Sequence, residues 1–221
     1  MDATLIYIFS LSSIFAMIIG IVRFRNINPA YYPFIYNITC GFLVEVTVRE
    51  LTKAGKPDIL ISLLNIYTLI DCCLFTWLFH NWGLFNRNRK VFLSILTAIF
   101  VVWFVISVFP IGKITTPNRY FRIVYSFALI FFSVSTFNKM IVQERGNIFK
   151  NAKFWICIGI IIFYTFFTLI CVAGVSWQHV SSVFRRNLQS INVFSNCLVN
   201  ILYAIAMLWI PRNKRFTNLL K

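Results

Sequence analysis

The sequence predicts an all-α integral membrane protein, a single seven-transmembrane helix bundle. Three observations carry this expectation. First, 59% of the 221 residues are hydrophobic and only 12% are charged, more apolar surface than a soluble domain of this size can cover. Second, apolar runs near ~20 residues, the length that spans a bilayer, recur along the chain. Third, each run is continuously apolar, whereas barrel strands would alternate, so the spans are helices.

The spans fall at about 4–22, 30–50, 59–81, 91–110, 120–141, 153–174 and 188–210, in one domain covering 1–221. Span 1 has no basic stretch before it and is too long for a signal peptide, so it reads as a retained helix ending at "RFRNINP". Span 2 starts after Pro29 and stops at "TKAGKPD", where Gly55 and Pro57 break the helix. Span 3 starts beside Asp58 and ends before "NRNRK". Span 4 ends at Pro110, and "PIGKITTPN" leads to span 5. Spans 5 and 6 are separated by "QERGNIFKNAK", spans 6 and 7 by "SWQHVSSVFRRN". Pro211 stops span 7, leaving a basic tail over 211–221. All six cysteines fall within apolar runs, with no zinc spacing, and read as small buried side chains.

The net charge of +15 is distributed in short clusters between the spans. That pattern excludes a nucleic-acid surface and fits anionic headgroups of a bilayer. Thirteen of the 21 Lys and Arg lie after spans 1, 3 and 5 or in the tail, and eight lie on the other side. The bias places the N-terminus out and the C-terminus in. An internal repeat is also visible. "LNIYT" (64–68) matches "INVFS" (191–195) by residue type, and "IVRFRNI" (21–27) parallels "IVQERGNI" (141–148). Spans 1–3 and 5–7 then form a 3+1+3 parallel repeat with span 4 as the inverting linker.

Polar residues inside the spans mark the candidate site. Glu45 and Arg49 are i,i+4 on one helix face, continued by Asn37 and Gly41. Glu45 lies about 7–8 Å below the outer end of span 2. Asp71 of span 3 lies about 18 Å deep, where an acid costs several kcal/mol unless it faces protein or water. Tyr67, one turn above, is placed to donate to it, and Asn65 stands higher on the same span. Span 7 carries a polar stripe, Gln189, Asn192, Asn196, Asn200 and Tyr203, at spacings of one helical face. By depth, Asn192 is level with Asn65 and Glu45, and Asn200 with Asp71. These residues predict a polar cluster between spans 2, 3 and 7, serving either as interhelical glue or as a ligand or proton site. His80 and His179 fall near opposite membrane faces and cannot share a metal. No metalloprotease, serine-hydrolase, phosphate-loop or kinase motif is present, so the expectation is no enzyme and no cofactor.

Glu45, "NIYTLID" (65–71), "NAKFWICIGIIIFY" (151–164) and "NLQSINVFSNCLVNILYAIA" (187–206) together resemble the small stand-alone seven-helix membrane proteins of bacteria. The pattern is similar to the seven-helix sensory regions of some histidine kinases. This resemblance implies sensing or signal coupling in the bacterial inner membrane. The basic cytoplasmic connectors would then dock a protein partner, and an oligomer is compatible with the sequence. The alternatives from the residues are a small-solute transporter or channel using the same cluster, and an oligomerising membrane effector of a bacterial defence system.

Overall fold

The computed structural model describes residues 12–86, 88–108, 116–143, 147–175 and 181–212, without the side chains of residues 108, 143, 182, 185, 186 and 189. Seven α-helices occur among them: α1 Ser13–Arg23, α2 Tyr32–Lys53, α3 Pro57–Asn81, α4 Arg89–Val108, α5 Arg119–Gln143, α6 Ala152–Val175 and α7 Ser182–Trp209. Five, α3 to α7, contain stretches long and apolar enough to cross a membrane. The chain is a multi-pass helical membrane protein. Two of the seven expected spans do not reach that standard. Residues 1–11 of the first lie outside the described residues, and α2 carries Asn37, Glu45, Arg49, Glu50 and Lys53 within 22 residues. The expected span from 188 is matched by an apolar stretch over Ser190–Trp209, which sits in a longer helix. The Ser181 hydroxyl accepts from Phe184 N at 3.3 Å and caps α7 six residues earlier, so "VFRRN" is helical.

The turns show why the helices stop where they do. After α2, Gly55 adopts φ +64° and Lys56 N bonds back to Leu51 O at 3.2 Å, a glycine C-cap. Pro57 then opens α3 at a position where no amide hydrogen is needed. Gly83 repeats the device after α3, with φ +80° and a Leu84 N to Phe79 O bond of 3.1 Å. Asn28 and Asn147 each cap a 3₁₀ turn, Pro29–Tyr31 and Ile148–Lys150, just before α2 and α6.

Six helices form a ring in chain order, α1, α2, α3, α5, α6 and α7, closed by α7 packing on α1. Helix α4 stands outside it against α3 and α5, with most of its surface exposed. Phe100, Val101, Phe104 and Val105 on α4, and Phe127 and Phe131 on α5, are exposed large apolar residues that suit lipid contact. At the end of the ring opposite the α2–α3 turn, Arg23 ties the two ends of the chain. Its guanidinium donates to the carbonyls of Met207, Leu208 and Ile210, the orphan acceptors at the C-terminus of α7. Asn28 N donates to Pro211 O at 3.1 Å beside an Ile27–Arg212 bridge. The core in this half is apolar, with Phe34, Phe75, Phe79, Leu78, Met207 and Ile210 buried, and a polar cavity of about 510 Å³ lined by Asn28, Asn81, Asn147 and Trp209 opens at its end.

Close approach of α6 and α7 depends on Gly159. A Cβ there would lie 2.5 Å from Tyr203 Cε1. Gly159→Ala is expected to lower stability by about 1–3 kcal/mol through overpacking. Tyr203→Leu in the same chain should recover most of the loss, read as the unfolding midpoint in detergent titration.

Candidate functional site: a buried carboxyl beneath a central cavity

Asp71 is buried at the middle of α3, and its partners come from three other helices. Asn37 Nδ2 of α2 donates to Oδ1 at 2.6 Å. The hydroxyls of Tyr125 on α5 and Tyr164 on α6 donate to Oδ2 at 3.2 and 2.5 Å. The two phenol rings meet edge to face with centroids 5.4 Å apart, and Phe75 packs edge-on against Tyr164. A carboxyl in this apolar setting is stable because its acceptor sites are occupied.

A cavity of about 330 Å³ lies above Asp71, toward the α2–α3 turn. Helices α1, α2, α3, α5, α6 and α7 all line it. Its wall is largely apolar, with Phe42, Phe163, Phe167 and Val199 among the lining, and its polar groups are few and convergent. They include Glu45, Tyr67, Asp71, Arg122, Asn196, Asn200 and Tyr203. Glu45 accepts from the Ser13 hydroxyl of α1 at 3.2 Å and shares the cavity lining with Tyr67 of α3 and Asn196 of α7. Asn200 Nδ2 donates to Ser12 Oγ at 2.8 Å. Asn37, Gly41 and Glu45 do share the inward face of α2, where the missing side chain of Gly41 admits the Tyr67 hydroxyl.

Several sequence expectations are corrected. Asn65 is buried but does not face the cavity. Six residues separate it from Asp71, which turns it about 120° around α3. Its Nδ2 donates to Thr116 O at 2.8 Å, and its Oδ1 accepts from Asn118 N at 3.2 Å. Asn118 Oδ1 in turn accepts from Phe121 N, so Asn65 clamps the start of α5. Asn192 is exposed on the outer side of α7, because the stripe drifts off one face over its length. Arg49 is exposed and does not line the cavity. Tyr67 does line it but is not a partner of Asp71. The Gln189 side chain and His179 lie outside the described residues.

The sequence reading placed the cluster between spans 2, 3 and 7, yet α5 and α6 supply two of the three bonds to Asp71. Tyr125 and Tyr164 lie on spans 5 and 6, outside the cluster expected between spans 2, 3 and 7. A mid-span tyrosine set against a buried acid was the available signal. Arg122 was also missed, having been assigned to the membrane surface. The six cysteines are free, and no group of three His, Cys, Asp or Glu suited to a metal occurs among the described residues.

No family model matches the chain, and no curated protein or solved structure matches it. The geometry therefore carries the functional argument alone.

Asp71→Leu strands three buried donors and is expected to cost about 3–5 kcal/mol, approaching loss of the fold. Asp71→Asn keeps the shape and one acceptor and should remain folded. Tyr164→Phe removes one bond and should cost about 1.5–3 kcal/mol. Unfolding in mixed micelles followed by near-ultraviolet dichroism reads all three.

Proposed function

We propose that the protein is a non-enzymatic membrane module that binds a small solute in its central cavity and couples that binding to a cytoplasmic partner. The observation that carries this reading is the position of Asp71 at the cavity floor, bonded to α2, α5 and α6 together. A solute that draws away one donor changes the balance among three helices at once, so occupancy alters the bundle and not only the site. The apolar core of Phe34, Phe75, Phe79 and Met207 lies between this cavity and a second, polar one of about 510 Å³ at the other end of the ring, which suits transmission of a shift and not passage of a solute. In this reading all seven helices span the bacterial inner membrane, with the N-terminus out and the cavity facing out. The partner docks on the basic connectors at Arg89–Lys90 and Lys150–Lys153.

Transport is the second reading, and one set of observations favours it. Helix α4 lies outside the ring as a linker between two triplets would. Helices α2 and α6 both follow an Asn-capped 3₁₀ turn with the side chain accepting from the second residue on, at 3.0 Å in each case. Each also presents a glycine to a tyrosine of the next helix, Gly41 to Tyr67 and Gly159 to Tyr203. These likenesses support the parallel repeat on which a rocking transporter would be built.

Two measurements test the proposal. Reporter fusions at the ends should place the C-terminus in the cytoplasm and the N-terminus outside; both on one side would overturn the seven-span reading. A thermal-shift screen of small metabolites on the purified protein should find compounds that stabilise the wild type by several degrees. Asp71→Asn should lose most of that gain. A radiolabelled hit is expected to bind vesicles carrying the protein without entering their lumen. Luminal accumulation that Asp71→Asn abolishes would replace sensing by transport.

A further inference from the structure

Arg122 is a cation set into the cavity wall without an acid to answer it. It stands one turn before Tyr125 on α5, so its side chain enters the same cavity that Asp71 closes below. Its Nε is buried and makes no hydrogen bond. The Lys53–Glu50 salt bridge lies away from it, at the far end of α2. Asp71 is occupied by its three donors, and Glu45 is bonded by Ser13. A guanidinium is a rigid fork of five donors, and leaving it half-buried and unanswered is costly.

A lipid-facing arginine near a membrane surface can reach outward to headgroups. That role is already filled by Arg119, one turn earlier. The Arg119 guanidinium lies over Gly174 of α6, where a Cβ would come 3.2 Å from its Cζ. The glycine thus makes room for Arg119 at the α5–α6 surface, and Arg122 is left directed to the interior. Two guanidinium groups one turn apart also repel, and an anion between or below them relieves the repulsion.

Resting on the reading of the cavity as a ligand site, we infer that its ligand is a small amphipathic organic anion, held by a carboxylate or phosphate group on Arg122. The rest of the cavity defines the remainder of the molecule. Phe42, Phe163, Phe167, Leu64 and Val199 offer an apolar body site, and Asn196 and Tyr67 offer a few polar contacts. A volume of about 330 Å³ is at the small end of ligand pockets and admits a compound the size of a ring with a short acidic side chain. The anionic group has two possible sources, a soluble organic acid or the phosphate of an anionic lipid, and the chemistry at Arg122 is the same for both.

Three isosteric probes test the charge rule: phenylacetate, 2-phenylethanol and 2-phenylethylamine. Binding is read by calorimetry on the full chain in nanodiscs of phosphatidylcholine, and again in nanodiscs containing one third phosphatidylglycerol. Phenylacetate is expected to bind at least tenfold more tightly than the alcohol, and the amine weakest. Arg122→Gln should erase the difference between acid and alcohol. Arg122→Lys should retain part of it, which guards against a variant that fails to fold. If phosphatidylglycerol abolishes phenylacetate binding in the wild type, with no such effect in Arg122→Gln, the anion at Arg122 is a lipid phosphate. If it does not, the source is a soluble acid. Equal binding of all three probes, unaltered by Arg122→Gln, overturns the anion rule but leaves the cavity as a ligand site. No binding of any probe in either lipid overturns both.

Discussion

One carboxyl group sets the terms for this bundle. Asp71 is buried in the middle of a membrane-spanning helix, and its oxygens are bonded from within the protein. The donors come from α2, α5 and α6, which means that four helices must hold a single registration to satisfy one side chain. A shift of one helix by a turn would leave a buried acceptor or donor unmet. Apolar helices in a bilayer gain no hydrophobic driving force from packing on each other. The polar contacts at Asp71 therefore specify which helices meet and at what depth.

The cavity follows from the same arrangement. Gly41 lets the Tyr67 hydroxyl approach α2, and Gly159 lets Tyr203 lie against α6, so bulky aromatic residues border the space without filling it. Beneath Asp71 the ring is filled by Phe34, Phe75 and Phe79, and at the far end Arg23 binds the terminal carbonyls of α7. Below Asp71 the bundle is thus filled and braced, and above it the central cavity opens. Arg122 gives the cavity a positive wall opposite the acid side of α2, where Glu45 is held. A site with a braced floor and a charged wall suits recognition of a compact, polar-ended solute.

Much of this was legible in the sequence. Continuous apolar runs separated by Gly, Pro and basic residues placed the seven helices to within a few residues for most boundaries. The prominence of Asp71 followed from depth alone, and the inward line of Asn37, Gly41 and Glu45 followed from i,i+4 spacing. The remainder was hidden for physical reasons. Depth along a helix is readable from sequence, but rotation about its axis is less so, and rotation separates Asn65 and Asn192 from the cavity. Tyr125 and Tyr164 stand 54 and 93 residues from Asp71, on spans with no acid of their own, so nothing along the chain paired them with it. The inward direction of Arg122 was hidden too, since its neighbour Arg119, one turn away, lies over Gly174 of α6.

The central claim is that Asp71 and the tyrosines act as one bonded unit that orders the helices. A double-mutant cycle measures it most directly, using Asp71→Asn, Tyr164→Phe and the two together, with unfolding free energy as the readout. The account predicts that the two changes are not additive, with a coupling of about 1–3 kcal/mol. Additivity within about 0.3–0.5 kcal/mol would contradict it, because residues that share no bond are the ones whose effects sum.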